Sequence, residues 1–190
     1  MIFRRSFLTG AAAAKVLWWP EVAVPRVELV GDAQRPFRLR EAFGRLSRSY
    51  AYILIDCPPS LGLLTVNALA AAHGVLVPLQ CEFFALEGLS QLLKTIERVR
   101  RGFNPMLQIH GVVLTMFDKR NNLSEQVATD VRSFLGDRVY DTVIPRNVRI
   151  SEAPSHGKPV LLYDHRCPGA VAYAHLAGEM LRRDRRLAAA

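Results

Sequence analysis

Little in this chain can hold a metal ion or a covalent crosslink. Its three cysteines, Cys57, Cys81 and Cys167, stand far apart. No pair has zinc-ligand or redox spacing, which excludes a disulfide framework and suits a reducing compartment. No histidine has a second histidine or cysteine three or four residues on, the helical spacing of a two-ligand site. His73 and His110 lie among apolar neighbours, where a core or boundary position is the ordinary fate of a histidine. Internal repeats and low-complexity linkers are missing too, and no apolar run has the length of a membrane span. Acids are the scarcer charge: 17 Asp and Glu against 25 Lys and Arg give a formal charge of +8. Such an excess favours polyanionic partners, nucleic acid or an anionic membrane surface.

What is present suffices for one core, since 50% of the 190 residues are hydrophobic, an ordinary share for a globular α/β domain. Residues 1–26 stand apart as an unrelated or aberrant leader. They carry Arg4-Arg5 ahead of Ser6-Phe7-Leu8 and a small-residue run, which superficially resembles a twin-arginine export signal. The apolar stretch is short and Lys15 interrupts it, so export ranks below the leader reading.

Residues 27–187 read as one α/β domain, because short apolar runs alternate with amphipathic stretches. Helices are expected over residues 36–46, 61–72, 83–101, 123–135 and 169–186, and strands over 52–55, 75–79, 109–116 and 139–144. Gly74 reads as the cap of the second helix. Phe83, Leu86, Leu89, Leu93, Ile96 and Val99 form one apolar helix face at spacings of three and four, and Leu123, Val127, Val131 and Phe134 form another. The run 109–116 is apolar on both faces and therefore central. The fold class is α/β, a mostly parallel sheet flanked by helices.

The stretch YILIDCPPS at residues 52–60 delivers an acid, Asp56, to the rim of a buried strand, because Pro58-Pro59 allows neither regular structure to continue. A magnesium-nucleotide site of the P-loop kind uses such an acid to hold a metal-bound water opposite the phosphates. Without further context, Asp56 reads first as a cap of the following turn or helix.

YILIDCPPSLGLLTVNAL, VPLQCEFFALEGLSQLLKTI, GVVLTMFDKRNNLSEQV and VIPRNVRISEAPSHGKPVLLYD occur in that order. Together they resemble the ParA/Soj chromosome-partition ATPases, relatives of MinD, over residues 27–181. The resemblance implies a P-loop NTPase fold and a dimeric switch driven by ATP and Mg2+. It also implies non-specific DNA binding, stimulation by a ParB/Spo0J-like partition protein, and a cytoplasmic, nucleoid-associated location. By resemblance Asp56 orders magnesium through water, Pro145 and Asn147 contact the adenine side of the nucleotide, and Arg120 and Arg149 hold DNA phosphates. For both arginines the plainer reading is a solvated loop residue.

The family's phosphate loop, K-G-G-x-G-K-T-T, does not occur in these residues. GAAAAKV at 10–16 lacks the glycine before its lysine and the hydroxyl after it. SHGKPV at 155–160 has Glu152 in place of the leading glycine and Pro159 in place of the hydroxyl. Loop amides, a lysine and a metal supply most of the stabilisation in phosphoryl transfer, so no ATP turnover is expected of this chain alone. The domain is thus expected to be an incomplete P-loop NTPase fold with an apolar strand edge at 52–55, which residues 16–19 and 22–24 of the leader would cover in part. Three readings stay open: a DNA-binding partition protein that self-associates or joins a full-length ParA relative, a subunit completed by a chain supplying the P-loop, and a non-functional truncated remnant.

Overall fold

The computed structural model describes residues 2–4, 35–45, 50–57 and 62–189. They fall into two compact units, Met1–Leu76 with Gln91–His110, and Val77–Ser90 with Gly111–Ala190.

In the first unit, α1 (Arg38–Gly44) follows a 3-10 turn at Arg35–Phe37, and α2 (Leu63–Ala71) follows β2 (Tyr52–Leu54). Asn67, buried in α2, accepts the Leu39 amide at 3.3 Å and donates to the Leu63 carbonyl at 3.2 Å, tying the two helices together. Phe37 and Phe103 meet edge to face at 5.9 Å. Gly74 does not cap α2. Ala72 is the cap residue, and the Asn104 side chain donates to the carbonyls of Leu69 and Ala72 at 3.0 and 2.7 Å. Gly74 instead opens β3 (Gly74–Gln80), where a Cβ would lie 3.4 Å from the His110 Cβ.

The sheet order is β2-β1-β3-β4, with β1 at Ile2–Arg4 and β4 at Gln108–Thr115. β3 and β4 run parallel, the Gln108 amide donating to the His73 carbonyl and the Cys81 amide to that of Thr115. β1 departs from the parallel expectation. It pairs antiparallel with β2, Ile2 opposite Leu54, and with β3 at Gly74. The expected cover of the 52–55 edge from residues 16–19 and 22–24 lies outside the described residues, and Ile2–Arg4 flanks β2 instead. Leu54 is still 68% exposed.

α3 (Ala85–Gly102) buries Ala85, Leu89, Ile96 and Val99, while Phe83 and Leu86 of the expected apolar face are exposed. Phe83 lies in the turn before the helix, so its spacing does not carry it onto the buried face. In the second unit β4 buries Val112, Val113 and Leu114 almost completely, as a central strand should. α4 (Asn122–Leu135) buries Ser124, Val127 and Val131, but Phe134 is 70% exposed at its last turn. The expected strand at 139–144 is not continuous. Parallel bridges join Val112 to Val139 and Phe117 to Pro145, and between them Tyr140 and Ile144 still bond to β4 while Asp141 and Thr142 leave the ladder. α5 (Val148–Glu152), a 3-10 turn at Ala153–His156, α6 (Val160–Tyr163) and α7 (Pro168–Ala189) complete the unit. No described helix is long and apolar enough to cross a membrane.

Candidate functional site

Ligands of open α/β sheets sit beyond the carboxyl ends of the strands, and the second unit gathers most of the expected site residues at such an end. β4 stops at Thr115, and Met116 adopts a left-handed backbone at φ 54. A side chain tolerates that conformation poorly, and such residues cluster at functional rims. Beyond the turn the Phe117 amide donates to the Ile144 carbonyl at 3.2 Å, and the Arg146 amide to that of Phe117 at 2.9 Å. These bonds fix Pro145 beside Phe117. The Arg146 guanidinium in turn pairs with Glu82 at 3.2 Å.

Asn147 is the N-cap of α5, its side chain accepting the Arg149 amide at 2.9 Å, the ordinary role of an asparagine at a helix start. Arg149 donates to Glu152 at 2.9 Å and lies 3.6 Å from Asp164. The Tyr163 hydroxyl donates to the same Glu152 carboxylate and stacks its ring on His156 at 4.8 Å. The bond to Glu152 also raises the pKa of Arg149.

Arg120 is held more tightly still. Its Nε and Nη2 donate to the two carboxylate oxygens of Asp118 at 3.0 and 2.9 Å, and its amide to the first of them. These bonds pull the Asp118 pKa down to about 2. Two of the five guanidinium N–H donors are used by this fork, and the side chain is 89% exposed, so its outer donors face solvent.

Asp56 belongs to the first unit. It is exposed, two residues past the end of β2. The structure therefore places Pro145, Asn147, Arg120 and Arg149 in one unit and Asp56 in the other. Sequence reasoning missed Asp118, Glu82 and Arg146, and the acids that orient Arg149. The three-residue step from Arg149 to Glu152 was a legible helical ion pair, whereas Glu82 and Arg146 are 64 residues apart and meet through the fold.

Among the described residues, the segment most like a phosphate loop does not fit a triphosphate. Gly157, the glycine of SHGKPV, is a left-handed helix cap at φ 61. Its amide donates to the Pro154 carbonyl and that of Lys158 to Ala153, so neither is available to a phosphate. Among the described residues no group of three or more His, Cys, Asp or Glu could hold a metal ion. The Cys81 thiol is pushed up by burial, with Arg132 opposing, which makes it a poor nucleophile.

Residues 21–109 match a family model described as an AAA domain. The chromosome partitioning protein ParA of Caulobacter vibrioides is 65% identical over 161 residues, which cover 84% of this chain and 60% of that protein. The sporulation initiation inhibitor protein Soj of Bacillus subtilis is 54% identical over 160 residues, 84% of this chain and 63% of Soj. Among solved structures, the Mycobacterium smegmatis cobyrinic acid a,c-diamide synthase with bound ADP and magnesium superposes with a TM-score of 0.68 at 36% identity, over 84% of this chain and 58% of that one. The chain spans about 60% of the length of its curated relatives. Over the aligned 84% of its length the chain is a ParA/Soj relative.

Proposed function

We propose that this chain is a partition-family polypeptide that binds DNA non-specifically through Arg120 and Arg149 and does not turn over ATP by itself. The observation that carries the reading is the pre-oriented, outward-facing guanidinium of Arg120, forked on Asp118 at one edge and open at the other. A guanidinium fixed in this way loses little side-chain freedom when a phosphate meets its free edge. The +8 charge supplies the long-range attraction. ATP and Mg2+ would belong to an assembly in which phosphate-loop amides come from elsewhere, with Asp56 at the metal-bound water and Pro145 and Asn147 on the adenine side. A ParB/Spo0J-like protein and the nucleoid are the partner and location that this relationship suggests.

Retention on a DNA column across a salt gradient tests this. Each lost phosphate contact should lower the slope of log affinity against log salt by about 1, so Arg120→Ala with Arg149→Ala should elute earlier and with a shallower slope. Unchanged elution of the double variant removes the assignment. A second reading, a subunit completed by a partner that supplies the P-loop, is favoured by the exposed Asp56 and by the terminal place of β2 in the sheet order. Calorimetric ATP binding that appears only with a full-length relative present would support it.

A further inference from the structure

We infer that Glu179 and Arg183, both on α7, are positioning residues that set the register at which residues 139–147 reach the candidate site. In a regular parallel ladder the amides that bond to alternate carbonyls of one strand are two residues apart. Here the Val112 carbonyl accepts the Tyr140 amide and the Leu114 carbonyl accepts that of Ile144, both at 2.8 Å. Two extra residues are thus looped out opposite a two-residue step. By the second bridge, a step of five along β4 and its extension, from Val112 to Phe117, faces a step of six from Val139 to Pro145. This is the count of a β-bulge, a device that re-aims the residues after it.

The amides freed by the bulge belong to Asp141 and Thr142, and Glu179 takes both, one on each carboxylate oxygen at 2.9 Å. Glu179 is only 6% exposed, so no water competes on equal terms. Arg183 completes the latch. It donates to Glu179 at 2.8 Å and to the carbonyls of Asp137 and Val139 at 2.9 and 2.8 Å. Its guanidinium lies 4.1 Å from the centre of the Tyr140 ring. Arg132 of α4 holds the Tyr140 carbonyl from another side at 3.1 Å. Two residues on α7 thus bond both freed amides of the bulge and the carbonyls of Asp137 and Val139 before it, and Ile144, Pro145 and Arg146 follow at the register those bonds leave. The functional consequence, control of the adenine-side contacts of Pro145 and Asn147, rests on the reading proposed above.

Amide hydrogen exchange on the intact chain tests the register directly. In Glu179→Ala and Arg183→Ala, the amides of Asp141, Thr142, Ile144 and Arg146 should exchange faster, on the order of tenfold, as for loss of one hydrogen bond. Val113 and Leu114 of β4 should keep their protection. Glu179→Gln retains one acceptor and should leave one of the two bulge amides protected. Uniform loss across the second unit would show a merely stabilising role and overturn the inference, as would unchanged exchange at Ile144 and Arg146. Binding of a fluorescent adenosine analogue without phosphates, which asks nothing of a phosphate loop, is the second arm. Equal affinity in the parent and in a Glu179→Ala chain with altered exchange would sever register from binding. No binding by the parent would sink the adenine-side reading of Pro145 and Asn147, and the exchange data would still decide the register.

Discussion

Asp118 restrains the residue on which the DNA reading depends. It accepts two guanidinium N–H groups and the amide of Arg120, and its charge offsets theirs. Asp118→Asn loosens the fork that pre-orients the guanidinium, so, despite one added unit of net positive charge, DNA retention should end at lower salt than in the parent, read on the same column. Glu179 offers a test by pH. Burial raises its pKa, but bonds from the Thr142 and Asp141 amides and the Arg183 charge outweigh that and leave it below the ordinary value of 4.5. A carboxyl depressed by folding contributes stability that is complete above its unfolded pKa and is lost as pH falls through the folded one. The destabilisation caused by Glu179→Gln, measured by urea unfolding, should therefore be largest at neutral pH and shrink in acid below 4.5. Gly111 is a steric matter. A Cβ there would run into the buried Tyr140 ring and lie 3.0 Å from the Arg138 carbonyl. Gly111→Ala should cost about 1 to 3 kcal/mol or more by overpacking, visible as a lower urea midpoint.

At the level of elements, α2 ends on a borrowed cap. Asn104 closes two of its last carbonyls from 32 and 35 residues away, so Asn104→Ala should cost about 1 to 3 kcal/mol for the buried acceptors left open, with exchange rising first at the end of α2. The five expected helices and β4 were legible because periodicity reports which face is buried, and 109–116 needed only its apolar pattern on both faces. Gly74 misled because a glycine after a helix looks the same whether it caps the helix or lets a neighbouring side chain approach. Phe134 misled because a helix's last turn can pass beyond the layer that its earlier turns bury. The bulge at Asp141 and Thr142 was invisible, since the run VYDTVIP fits a strand and only Glu179, 37 and 38 residues downstream, draws it off the ladder. In the site, Pro145, Asn147, Arg120 and Arg149 came from motif resemblance. The carboxylates that orient the two arginines follow from contacts the motif does not encode, apart from the helical pair of Arg149 and Glu152.

For the molecule as a whole, the amides of the one glycine-lysine pair resembling a phosphate loop are spent on a helix cap. Phosphate release from ATP by the purified chain should match buffer even with Mg2+ and DNA, measured by a coupled phosphate assay, and magnesium-dependent hydrolysis above that level would refute the reading. The latch on α7 also imposes an order on synthesis. The side chains that hold residues 137–142 are made 37 to 46 residues later, so a ribosome paused before Arg183 presents a nascent chain with those backbone groups still bonded to water. Until the latch emerges, the rim residues beyond it have no settled address.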